Sequence, residues 1–215
     1  MKKTVCGILT VLVFVSAMLT GCTSSKPFEV DDIATTARVF GIQDIGTVAN
    51  ANTAIEYFKG LTNPSGYYIS KDYKEAQTLY DNYLNRYDWY PKASVNKMVV
   101  VVAKEFYGTA IYDTDCCLLI FPAQSQAKSY YDSYVSGLDS KHKNKTGYKG
   151  GYAYAITYSL SANRDGNCDW MKGVYLKGNS VLIISGFSPI DDTVKTFSDQ
   201  IYSSLDLIDP ATLNK

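Results

Sequence analysis

Nucleophiles, general bases and metal ligands are sparse in this 215-residue sequence. It holds one histidine, His142, and five cysteines, Cys6, Cys22, Cys116, Cys117 and Cys168. No His-Glu-x-x-His, Gly-x-Ser-x-Gly or phosphate-cradling glycine loop occurs, nor any Cys-x-x-Cys pair. A lone imidazole closes most routes to a histidine-based triad or a common zinc site, so no metal or other cofactor is expected. His142 lies in Lys141-His142-Lys143-Asn144-Lys145, which reads as a solvated loop before Gly147. Asp113 and Asp115 are spaced to share a cation, although two acids around Thr114 more often mark a turn. Paired carboxylates for glycoside hydrolysis are set by the fold, not by spacing, and the sequence leaves an envelope enzyme open only in that sense.

Cys22 has a different chemistry. Met1-Lys2-Lys3 precedes an apolar run from Val5 to Leu19, which ends in Leu19-Thr20-Gly21-Cys22. That order resembles the bacterial lipobox behind a secretory signal. The resemblance implies a diacylglyceryl group on the Cys22 sulfur and cleavage just before it, with residues 1–21 as a removed signal peptide. The alternatives are an uncleaved span or an ordinary signal peptide; a span needs about 20 apolar residues, and this run is shorter. Acyl chains contribute about 0.8 kcal/mol per buried CH₂, so two of them anchor a protein stably without its spanning the bilayer. Residues 22–27 then form a lipidated tether, and Thr23 to Pro27 reaches about 17 Å at ~3.3 Å per residue. The expected location is the outer, extracytoplasmic face of the cell membrane, with the folded body close to it.

The leader takes two lysines and no acid, leaving 19 basic against 21 acidic residues and a formal charge of −2. A near-neutral chain is a poor electrostatic partner for nucleic acid. The 194 residues from Cys22 onward are enough to bury roughly 70% of the unfolded surface without a disulfide scaffold. Cys168 can bridge Cys116 or Cys117 if their strands are neighbours; three buried thiols are the alternative.

The elements that would position any site follow from periodicity. Asp31-Asp32 opens a helix with Ile33, Ala37 and Phe40 on one face, and Gly41 ends it. A second helix spans Val48 to Phe58, and a third spans Lys71 to Tyr87 with Tyr73, Ala76, Tyr80, Tyr83 and Tyr87 along one side. Met98 to Ala103 and Cys116 to Phe121 are apolar strands, with Asp113-Thr114-Asp115 in the approach to the second. Tyr152 to Leu160, Asp169 to Leu176 and Val181 to Phe187 form a meander, the last two joined by a Gly178-Asn179 hairpin. The loop from Asn163 to Asn167 lies between the first two, and Asp191 to Ser204 is a closing helix.

Glu75 to Leu84 aligns with Gln126 to Val135 fifty-one positions later, and Ile69 aligns with Ile120, as in a duplicated strand-helix unit. Val181 to Ser204 is a looser third copy. The fold expected is one α+β domain over 28–215, with a mainly antiparallel sheet and helices on one face, related to the split βαβ arrangement. Residues 28–60 are a candidate helical lobe. From about 91 to 205 the element order also resembles small secreted lipoproteins of Gram-positive bacteria, a family of unassigned function that supplies no catalytic position.

Nineteen tyrosines, all after the leader, are the remaining chemical signal. Alternation puts Tyr152, Tyr154, Ile156 and Tyr158 on one strand face, either core or an exposed aromatic platform. Trp170, after Asp169, is a further contact candidate. The function expected is a non-catalytic, lipid-anchored lipoprotein that binds or supports a membrane-proximal protein partner. The alternatives are a cell-wall glycan module using the tyrosine stripe, or an envelope enzyme.

Overall fold

The structure, a computed structural model, describes residues 26–47, 49–60, 63–107, 110–159, 168–189 and 196–214. The leader, Cys22, the loop at 163–167 and residues 191–195 lie outside the described residues. In chain order the elements are α1 (Val30–Val39), β1 (Gln43–Asp44), α2 (Ala51–Lys59), β2 (Gly66–Ile69), α3 (Tyr73–Leu79), β3 (Lys97–Tyr107) and β4 (Ala110–Ile120). They continue with α4 (Gln124–Ser136), β5 (Lys143–Lys149), β6 (Tyr152–Ser159), β7 (Cys168–Lys177), β8 (Ser180–Pro189) and α5 (Phe197–Ser204). A π-helical turn, Tyr80–Leu84, extends α3, and a 3-10 turn, Pro210–Asn214, follows α5.

The fold is α+β: eight strands in one sheet, ordered β1-β2-β3-β4-β8-β7-β6-β5, with every pair antiparallel except β1 and β2. Local chemistry sets the element ends. Asn50 and Asp72 cap α2 and α3 through side-chain oxygens that accept from Thr53 N at 3.1 Å and Glu75 N at 2.9 Å. Thr196 and Asp199 form a capping box on α5. Gly178 at φ +58 and Asn179 make the two-residue turn between β7 and β8, where Lys177 pairs with Ser180.

The helices do not share one face. Val99, Val101, Cys116, Leu118, Leu182 and Ile184 point into a core closed by α1, α5 and the 3-10 turn. Val100, Val102, Cys117, Leu119, Val181 and Ile183 point into the opposite core, closed by α2, α3 and α4. The reason is compositional: β3, β4 and β8 are apolar at successive positions, so neither face of the central sheet can be left to water. α1 and α2, within the stretch expected as a separate lobe, pack on opposite sides of this same sheet.

The duplicated unit has a structural counterpart. β2 and β4 flank β3 and run parallel to each other, and each is followed by a helix on the same face. Ala76 and Ala127, aligned in the two copies, are both fully buried. The third copy differs, because α5 crosses to the other face.

Two local expectations are corrected. Lys143 to Lys149 is not loop but β5, an edge strand paired to β6 from Lys143↔Tyr158 to Lys149↔Tyr152. Asp113-Thr114-Asp115 lies within β4, paired to β3 across Val102↔Asp115 and Lys104↔Asp113. Both segments take their state from a neighbouring strand, which local propensity does not contain.

Of the two arrangements open to the cysteines, the bridge to Cys168 does not form: Cys116 and Cys117 are free, buried thiols. Adjacent on β4, they point into opposite cores, and burial holds each protonated. Cys116 pairs with Ile184, which pairs with Gly173, so Cys168 stands two strands away and five residues further along β7. That separation, more than 15 Å at ~3.3 Å per residue along the strand alone, exceeds what a disulfide spans.

Leu182 is fully buried at the centre of β8. Leu182→Ala should destabilise the protein by about 3 kcal/mol, read from the urea midpoint at unchanged slope.

Candidate functional site

One row of residues breaks the apolar pattern of the sheet face under α2, α3 and α4. The registers Val102↔Asp115, Asp115↔Ser185, Ser185↔Lys172 and Lys172↔Thr157 align an acid, two hydroxyls and a lysine across β4, β8, β7 and β6. Strand alternation puts these side chains on the face that carries Cys117, Ile183, Val174 and Ala155.

Above this row the π-helical turn and the loop after it form an aromatic roof. The widened turn places Tyr83 against Asp115, its Oη donating to Asp115 Oδ1 at 2.9 Å. Asn85 then bends the chain back: its Oδ1 accepts from Tyr90 N at 2.9 Å, and Asp88 takes φ +53. Trp89 and Tyr87 are thereby left at the lip, 74% and 57% exposed, with ring centroids 4.9 Å apart. The Arg86 guanidinium lies 4.8 Å from the Tyr87 ring centroid.

The result is a cleft of about 220 Å³. Asp115, Cys117, Ile183, Ser185 and Lys172 form its floor, and Tyr83, Tyr90 and Trp170 form its walls. Both tryptophans of the sequence line it.

The electrostatics are unusual. Burial pushes the Asp115 carboxyl up to about 6, with Asp113 adding to the rise and the Tyr83 hydrogen bond, Arg86 and Lys104 opposing it. Burial brings the Lys172 ammonium down to about 8. Lys172 Nζ has no carboxylate partner among the described residues and rests instead beside two nearly parallel rings, 4.0 Å from the Tyr90 centroid and 5.2 Å from that of Tyr134. Two strand spacings, about 10 Å at the backbone, separate the acid from the lysine. The floor therefore holds two opposite charges that do not pair.

The residues singled out in the sequence divide sharply. Trp170 lines the cleft. Tyr152, Tyr154 and Tyr158 are only 3%, 8% and 3% exposed and form no platform. Tyr152 Oη donates to the Asp206 carbonyl and accepts from Ile208 N, both at 3.0 Å, so the first ring of the stripe ties the chain after α5 to the sheet. His142 is exposed, with its ring 6.4 Å from that of Trp170. Asp113 faces Lys104, and its Oδ1 has no hydrogen-bond partner among the described residues. Among the described residues no cluster of three or more His, Cys, Asp or Glu is placed to hold a metal ion, and no helix is long and apolar enough to cross a membrane.

Lys172, Ser185, Arg86, Trp89 and Tyr90 were missed in the sequence. A signal existed for two of them. In Trp170-Met171-Lys172-Gly173-Val174 and Val181-Leu182-Ile183-Ile184-Ser185, a polar residue occupies a position whose alternate neighbours are apolar.

No protein-family model and no curated protein matches the chain. Among solved structures, the extracellular domain of PknH from Mycobacterium tuberculosis is similar at a TM-score of 0.38 and 9% identity. The match covers 89% of this chain and 99% of that one, and a likeness at that level carries no argument.

Because the folded protein raises the Asp115 pKa above its unfolded value, the native state binds the extra proton between about pH 4 and 6, and stability falls as pH rises through that window. Asp115→Asn removes this loss. Between pH 4 and 7 the variant should gain about 1–2 kcal/mol relative to wild type in denaturant titrations. Parallel pH profiles would refute the desolvated Asp115 carboxylate.

Proposed function

We propose that this chain is a lipoprotein, anchored through Cys22 to the outer face of the cell membrane, whose domain is a non-catalytic binding module for a membrane-proximal partner. The observation that carries the reading is the cleft: an exposed Tyr87–Trp89 lip over a small floor with polar groups at both ends. Concave sites of this kind, lined mainly by apolar and aromatic side chains with a few placed polar groups, are the usual form of a ligand site. Exposed aromatic side chains beside an arginine are also the residues enriched where partners are gripped.

A binding role fits the chemistry of the floor better than a catalytic one. A nucleophilic cysteine needs a depressed pKa or an adjacent base, whereas burial raises that of Cys117. Asp115 already accepts the Tyr83 hydroxyl. The short tether supports a partner close to the bilayer: Phe28 is buried and its amide donates to Ser180 Oγ at 2.9 Å, so the body begins directly after Pro27.

In cells, Cys22→Ala should move most of the protein from the membrane to the soluble fraction, and retention would refute the anchor. A photoreactive residue at Tyr87 should give a reproducible adduct on intact cells, while the same group at exposed Tyr148 should not. Identical adduct patterns from the two positions would reject the cleft as the partner site.

A further inference from the structure

Resting on the cleft as the binding site, we infer that its ligand is a single uncharged sugar ring, presented by a glycan at the membrane surface. The size sets the first limit, since about 220 Å³ is less than the usual 300–1,000 Å³ of a drug-sized pocket. One ring fits such a space, whereas a folded peptide segment does not.

Charge sets the second limit. An organic cation would meet Lys172 on the floor and Arg86 at the lip. Three of the nearby rings already carry a cation, Tyr90 and Tyr134 the Lys172 ammonium and Tyr87 the Arg86 guanidinium, so a ligand cation would be held beside like charge. A compact anion would meet Asp115, with Asp113 two residues along the same strand. A free amino acid carries its two charges within a few bonds, too close together to reach both ends of the row.

A sugar ring meets all of these conditions. Its hydroxyls both donate and accept, so one edge can donate to Asp115 while the other accepts from Lys172, with the Ser185 hydroxyl between them. Its apolar C–H face then lies against the indole rings of Trp170 and Trp89. This set is distinct from the stripe of Tyr152, Tyr154 and Tyr158, which is buried on the opposite face of the sheet.

Because Trp89 and Trp170 are the two tryptophans of the protein and both line the cleft, intrinsic fluorescence reports on it directly. The full-length protein in detergent is titrated with N-acetylglucosamine, chitotriose, dialanine, tetramethylammonium and inorganic phosphate, with calorimetry in parallel. A saturable response to the sugars, weakened about tenfold in Trp89→Ala and in Asp115→Asn, supports the inference. Trp89 is 74% exposed, so its variant folds irrespective of the role of the ring. Saturation by dialanine, tetramethylammonium or phosphate in place of sugar overturns the sugar assignment and leaves the binding module standing. Silence to every probe overturns it too; if the Tyr87 cross-link is then also lost, the cleft reading falls with it. Purified cell-wall strands and extracted membrane glycolipid, titrated separately, distinguish the two sources of the ring, and saturation by either supports the inference.

Discussion

Strands β3, β4 and β8 are apolar on both faces, and the rest of the structure answers to that constraint. Water must be excluded twice, so helices from both halves of the sequence are drawn to both sides of the sheet. The same demand explains two neighbouring cysteines that never meet, and a tyrosine stripe that ends as core. Within this doubly sealed layer the row Asp115, Ser185, Lys172 is an exception maintained against a desolvation cost. Perturbed charges in a concavity mark a candidate functional site, and the cleft opens over that row.

The class of the fold was legible because it rests on local signals. The hairpin at Gly178-Asn179, the closing helix and the meander all follow from turn residues and periodicity. The two-sided cover was also encoded, in the unbroken run Met98 to Ala103, since a half-exposed strand would alternate. What no local pattern contains is pairing. Asp113 to Asp115 has the composition of a turn and becomes strand because β3 and β8 lie on either side of it. The lysine-rich stretch at 143–149 becomes strand because β6 offers an open edge.

The site was less legible than the fold, for a geometric reason. Its floor comes from three strands separated by up to seventy residues, and its roof from a π-helical turn that ordinary helical spacing does not foresee. An unbroken α-helix over Lys71 to Tyr87 predicts one aromatic face; instead Tyr80 is buried, Tyr83 reaches Asp115 and Tyr87 is left at the lip. Trp170 was recognisable because a tryptophan beside a turn-rich loop is conspicuous. Lys172, two residues on, carried the stronger physical signal: a charge on the inward face of an apolar strand.

The two ends of the sheet differ from its middle. β1 is only two residues long, and β5 carries Lys143, Lys145 and Lys149 along its open side. Short or cationic edges resist pairing with a second sheet. A molecule confined to a surface moves in a plane, where neighbours collide side by side at far higher local density than in bulk solution. For the anchored arrangement proposed above, that is the geometry in which an open sheet edge would zip copies into fibrils. In that arrangement the blunted edges would keep crowded copies from joining edge to edge.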